Sequence, residues 1–384
     1  MSMSLLSRGA TRSLLWLFAL AAAVQGCTTA SNCSLNGVCA ASACVCDAPW
    51  TGAQCGHLAF AAASPAVGKD LANTAADLGH NTWNGPMVQD GPDFHMYVPL
   101  YPAGLLYDPV SVLHGTSPAR DGPWTWANMS DVQVAFNPGA LQYIDPTDGK
   151  MRFTYWSTKV NGETAGKVYT SASAAGPFVE IPFSNNTGCY INPSPFVVDG
   201  KLFCTGQKGT EIMTGVLGSP TPWTLYATMP AGHHGEDPFF WVDGRKNWHA
   251  LFHSSAPSAS GHGTHCASSG VASHLFSSDS GKTWDALDPI VQPYKPSVVW
   301  DDDSTPHGYA TMERPHLYFD GAPGTTTGRA THLSVAAPLN IGDEGCVDDV
   351  KGATWPESKC KRAPCSCQLC KYVSHAGSLL IALE

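Results

Sequence analysis

Five times along this chain a proline heads an apolar run that reaches an Asp-Gly or similar turn and is answered by a second, aromatic-rich run. The copies are NGPMVQDGPDFHMYV from Asn84, NPGALQYIDPTDGKMRFTYW from Asn137 and NPSPFVVDGKLFCT from Asn192. EDPFFWVDGRKNWHALF follows from Glu236, and ERPHLYFDGAPGTTTGRATHLSV, with a looser turn, from Glu313. Measured between Pro86, Pro138, Pro193, Pro238 and Pro315, the steps are 52, 55, 45 and 77 residues. A strand, tight turn and strand repeated at this period is the pattern of a radial β-propeller, whose blades bury their faces only against one another. Five copies predict five blades in an all-β chain. Strand-forming aromatics (12 Trp, 12 Tyr, 14 Phe) and turn-forming Gly (38) and Pro (29) agree with that class.

The longest step, between the fourth and fifth copies, holds a Gly-, Ser- and His-rich loop at 254–270. It is followed by SSDSGKTW (Ser277 to Trp284), which fits the Ser-x-Asp-x-Gly-x-Thr-Trp turn of sialidase-like propellers. There Asp279 is expected to accept turn amides, Gly281 to take positive φ and Trp284 to pack between strands. A sialidase arginine trio is not identifiable. The C-terminal SLLIALE reads as a strand, and the Ala-rich stretch from after Cys55 to about Ala76 is either a linker or holds the strand that closes the ring with it, which would leave no open edge.

The first 26 residues carry Arg8 and Arg12, an apolar stretch from Leu14 to Val24 and small residues up to Gly26. This predicts a secretory signal over 1–26, cleaved before Cys27; the stretch falls short of the roughly 20 residues that span a bilayer. The mature chain is therefore expected outside the cell, with no membrane span. Its 14 cysteines fit an oxidising route. The formal charge of -10 is scattered and no basic stripe exists, which excludes nucleic acid as a partner.

Six cysteines (Cys27, Cys33, Cys39, Cys44, Cys46, Cys55) form a block ending in CVCDAPWTGAQC. With Cys-x-Cys, Pro-Trp, and Gly52 three residues before the last Cys, the segment 27–56 resembles an EGF-like module. The resemblance implies bridges Cys27 to Cys39, Cys33 to Cys44 and Cys46 to Cys55, and opens a second role in binding an extracellular protein. Residues 57–78 are a linker or closing strand, and 79–384 the propeller. Cys189 and Cys204 flank the third copy and are expected to bridge. The cluster CKRAPCSCQLC is read as disulfide-bonded rather than zinc-binding because the cysteine count is even and the chain exported. Asn128 and Asn185 are the better glycan acceptors; the third sequon, at Asn32, sits beside Cys33.

In a propeller the inner strands begin near the axis, so residues flanking the marker prolines should converge on one pocket. These are Trp83 and Asn84, Asn137, Asn192, Glu236 with Asp237, and Glu313 with Arg314. His233 and His234 precede Glu236 in GHHGED and could bind sugar hydroxyls or orient Glu236; Trp83 could stack on a sugar ring. Trp156, Trp241, Trp248 and Trp284 are read as blade core. A metal site from His262 and His265 rests on spacing alone and none is assigned, nor is any cofactor.

With these heads the repeats resemble the five-bladed propeller glycoside hydrolases of families 43, 32, 62 and 117. The likeness covers about Gly79 to the C-terminus at the level of architecture. In family 43 the first blade opens with an Asp-Pro general base, and a middle blade carries Glu-x-Pro with the general acid. Glu236-Asp237-Pro238 matches the latter, which makes Glu236 the candidate acid and carbohydrate the expected partner. The first head departs from the pattern as Asn84-Gly85-Pro86, and Asn137 and Asn192 replace further aspartates. An amide cannot take up a proton as a carboxylate does. Either another acid substitutes, with Asp237, Glu313 and Asp131 as candidates, or the pocket only binds. The readings that stand are a glycosidase acting on poly- or oligosaccharide, a non-catalytic carbohydrate-binding or adhesion protein, and an extracellular scaffold.

Overall fold

Four-stranded antiparallel sheets repeat along the chain in the order the five copies predict. The computed structural model describes residues 26–62, 64, 80–102, 109, 111–134, 137–158, 166–183, 189, 191–206, 210–219, 221–230, 235–254, 271–287, 291–295, 297–301, 306–308, 312–338 and 376–384. Blade I pairs the inner segments His80–Thr82 and Met87–Asp90 with Asp93–Pro102, then Ser111–Ser117 and Thr125–Asn128. Blade II is Gly139–Ile144, Met151–Trp156, Val168–Ser171 and Val179–Ile181; blade III is Ser194–Val198, Lys201–Thr205, Glu211–Gly215 and Thr224–Thr228. Blade IV is Glu236–Val242, Trp248–Ser254, Val271–Ser277 and Asp285–Ala286. Blade V joins Glu313–Phe319, Ala330–Pro338 and the C-terminal Ala376–Ala382.

The ring closes with strands from both ends of the chain. Phe60 bridges Leu383, the Ala61 amide donates to the Ala382 carbonyl, and the Glu384 amide donates to the Ala59 carbonyl. The segment after the small module therefore supplies the outer edge of blade V and leaves its C-terminal strand no free edge there.

Strand periodicity accounts for how the blades stack. In Met151–Trp156 alternate residues point to opposite faces. Phe153 and Tyr155 enter a core shared with Val88 and Tyr97 of blade I, while Trp156 enters a core shared with Leu202 and Trp223 of blade III. Both faces of an interior blade are buried, so each needs its neighbours.

A second repeat accompanies the first. Ser117 and Trp124, Ser171 and Phe178, and Ser277 and Trp284 share one spacing, and Val216 with Trp223 occupies the same place in blade III. In each of the three serine copies the hydroxyl accepts an amide of the turn that follows. The SSDSGKTW turn is the fullest version. Asp279 accepts from the Lys282 and Thr283 amides and the Thr283 hydroxyl, Gly281 has φ of 77°, and the Trp284 indole donates to the Gly281 carbonyl. These four hydrogen bonds hold the link between the third and fourth strands.

The module carries the three bridges implied by its resemblance, Cys27–Cys39, Cys33–Cys44 and Cys46–Cys55, and Cys189 bridges Cys204. It does not hang from the propeller. Cys27, Cys33, Trp50 and Leu58 share one core with Trp241, Leu251, Leu317 and Leu379 of blades IV and V. Cys266, Cys346, Cys360, Cys365, Cys367 and Cys370 lie outside the described residues, as do the predicted signal, Asn185, His233, His234, His262 and His265.

Candidate functional site

The blade heads share an unusual backbone. A residue before proline is kept out of the right-handed helical region, and at three of the heads it turns through the left-handed one. Asn192, Asp237 and Arg314, each directly before its proline, have φ of 48°, 54° and 55°, and Asn84 has 28°. Asn and Asp tolerate that region; for Arg it costs roughly 1–2 kcal/mol. The strand register also slips at the heads, between Glu236 and Phe239 in blade IV and between Glu313 and His316 in blade V. Such bulges re-aim the side chains around them.

The heads do converge. Asn84 Nδ2 donates to the Arg314 carbonyl at 2.7 Å and to Ser334 Oγ at 3.0 Å, joining blades I and V. Asn137 Nδ2 donates to Asn192 Oδ1, joining II and III, and Arg314 Nη2 donates to the Pro138 carbonyl at 3.1 Å, joining V and II. Asp237, Glu313 and Arg314 are all buried, and Glu236 is half-buried. His253 lies opposite Glu236 in the strand register, with Nε2 3.8 Å from Glu313 Oε1. One ligand atom each from Glu236, Asp237 and His253 lie within 4.8 Å of one another, close enough to share a divalent cation.

The electrostatics are those of a buried, charged hub. Burial pushes the Asp237 carboxyl up to about 6, the charge of Arg314 opposes the shift, and Glu313 adds to it. Tyr101 is driven far above the usual phenol range by burial. His316, whose Nδ1 lies 3.1 Å from the Arg314 carbonyl, is held down to about 3 by burial and by the Arg314 charge.

Several hub atoms have no hydrogen-bond partner among the described residues, and they come from all five blades. They are Asn84 Oδ1 (I), Asn137 Oδ1 (II), Thr205 Oγ1 (III), Asp237 Oδ1 (IV), and Nε and Nη1 of Arg314 (V). Beyond the prolines the inner strands enclose a cavity of about 360 Å³, walled by residues such as Pro86, Phe94, Phe196 and His316. The blade V hairpin loop crosses toward blade IV, where Thr326 Oγ1 accepts the Val242 amide and donates to the Val242 carbonyl.

Trp83 is buried, 7 % exposed. Asp131 is not a hub acid: its Oδ2 accepts the Phe178 amide at 2.7 Å and ties the link after blade I to the third turn of blade II. His253, Tyr101 and Thr205 were not singled out for the site. All three lie on second strands, and only the pairing register with an inner strand brings them to a head.

No protein-family profile and no curated protein sequence matches the chain. Solved structures do resemble it. The catalytic domain of a GH62 α-L-arabinofuranosidase from Coprinopsis cinerea superposes with a TM-score of 0.52 at 11 % identity, over 85 % of this chain and 98 % of that one. An α-L-arabinofuranosidase from Podospora anserina, solved with cellotriose, gives 0.52 at 10 % identity, over 85 % and 97 %. A family 117 glycoside hydrolase of Zobellia galactanivorans gives 0.45 at 11 % identity, over 85 % and 90 %. The architecture is thus the five-bladed propeller fold found among glycoside hydrolases. At such identities the likeness concerns the fold alone.

Proposed function

We propose that the hub is a carbohydrate site of a secreted, glycosidase-like protein and that Glu236 acts there as general acid. The observation that carries this reading is the set of buried, unpartnered polar atoms contributed by every blade. Leaving one such atom unpaired costs about 1–3 kcal/mol, and sugar hydroxyls, each donor and acceptor at once, can satisfy both kinds. The solved arabinofuranosidases of the same fold give the reading its substrate class. Glu236, half-buried, is the most accessible of the three acids. A second carboxylate stands close to it, as Asp237 lies within 4.8 Å. Asp237 or Glu313 is the partner that would activate water. For retention the two carboxyls stand ~5–5.5 Å apart and for inversion ~6.5–9.5 Å. Asn84, Asn137, Asn192 and Arg314 bind the sugar, and His233 and His234 precede the acid in sequence. Asn128 and Asn185 carry glycans.

The second reading is a non-catalytic binding protein, favoured by the Asn137–Asn192 hydrogen bond where a hydrolase of this type would keep acids. Turnover of a panel of arabinosides, xylosides, galactosides and fructosides, with Glu236→Gln as control, separates the two. Hydrolysis that the variant loses supports the enzyme. Glycan-array binding without turnover, unchanged in the variant, supports the binding protein and sinks the acid role.

A further inference from the structure

The N-terminal module is fastened to blade IV by a column of rings. Its Trp50 stacks on His274, with centroids 5.1 Å apart, and on Trp241 at 6.2 Å; Trp241 in turn lies against His249 at 4.8 Å and 9°. The two imidazoles join through His249 Nδ1 and His274 Nε2 at 3.1 Å. Both are buried, and Trp50 is one of the rings that cover His274. Charge continues the same contact. His249 Nε2 is 3.6 Å from Asp243 Oδ2, Arg245 Nε is 3.4 Å from that carboxylate, and Arg245 reaches into the module to Asp47 and to the Leu35 carbonyl.

One imidazole of the pair has to accept, so at least one ring is neutral. Asp243 can balance a charge on His249. His274 faces aromatic rings and His249, and a charge on His249 opposes a charge on it. Two imidazolium rings with centroids 5.3 Å apart would repel, with Asp243 the carboxylate beside the pair. Asp243, Arg245 and Asp47 are the charged groups that act on His249. Burial lowers both histidines and His274 most, which follows from this geometry.

We propose that this column is an acid-opened latch: neutral His274 holds the module on the propeller, and protonating the imidazole pair releases the Trp50 face. Release would uncover Trp50 and Trp241 together, a paired aromatic surface that is closed at neutral pH. The docked state binds fewer protons than the open one, so docking is complete above the ordinary imidazole value of 6.5 and weakens below it. Each imidazole that takes up a proton on opening contributes up to about tenfold per pH unit.

Hydrogen exchange of the full disulfide-bonded chain at pH 7 and pH 5, corrected for intrinsic rates, tests the latch. The Leu58 amide, on the strand paired with Trp50 and bonded to the Pro293 carbonyl, reports docking; blade II strand 151–156 reports the propeller. The expected result is a fall of at least about tenfold in protection at the Leu58 amide with blade II unchanged. His274→Phe keeps a ring without a proton to gain, and His274→Gln keeps a partner for His249; either is expected to hold its protection at pH 5. Equal docking protection at the two pH values in the wild type, loss of blade II at the same pH, or wild-type opening in both variants overturns the proposal.

Discussion

Replacing Asp237 by asparagine should stabilise this protein at neutral pH. The carboxyl is 6 % exposed, and burial raises it from 3.8 to about 6, so its ionised form is harder to hold in the folded chain than in the unfolded one. A raised carboxyl binds more protons when folded, and stability therefore falls as pH climbs from 3.8 toward 6 and stays low above it. The shift corresponds to roughly 3 kcal/mol at pH 7.5 and roughly 1 kcal/mol at pH 4.5. Asparagine mimics the protonated form and tolerates φ of 54° before Pro238, as Asn192 does before Pro193. Urea unfolding of wild type and Asp237→Asn, disulfides intact, is expected to show the variant ahead at pH 7.5 and the gap shrinking by about 2 kcal/mol at pH 4.5. A gap that is independent of pH, or that widens in acid, would refute the reasoning. Carrying a destabilising buried carboxylate at this place is what a functional group, rather than a structural one, would do.

Two smaller tests address the frame. Gly215→Ala puts a Cβ 2.5 Å from the Trp223 ring, and an overpacking loss of about 1–3 kcal/mol is expected in the urea midpoint. Asn128→Gln, at an exposed position on the outer strand of blade I, should remove one glycan mass from protein expressed through a eukaryotic secretory route and leave the midpoint unchanged.

What could be read along the chain follows its local chemistry. The prolines and Asp-Gly turns announce strand pairs because their φ preferences act within a few residues, and the SSDSGKTW turn makes the very hydrogen bonds its residues suggest. The second repeat was equally present in Ser117, Ser171 and Ser277, but proline-rich copies such as DGPW hide its likeness to SSDSGKTW. Asp131 misled because an acid near a repeat head cannot be told from one that caps a turn until its partner, the Phe178 amide 47 residues away, is in place.

By itself the sequence determined the number of blades and which residues stand beside the inner prolines, because spacing and turn preference are local; the bridging of the small module came from its resemblance to an EGF-like module. Only the tertiary structure decided that Asp237, Glu313 and Arg314 are buried where the heads meet, that His253 faces Glu236 across a strand pair, and that Trp50 packs the module onto blade IV. Those relations depend on the closure of the ring, which brings residues 50 and 274, or 84 and 314, together through packing that no run of neighbouring residues encodes.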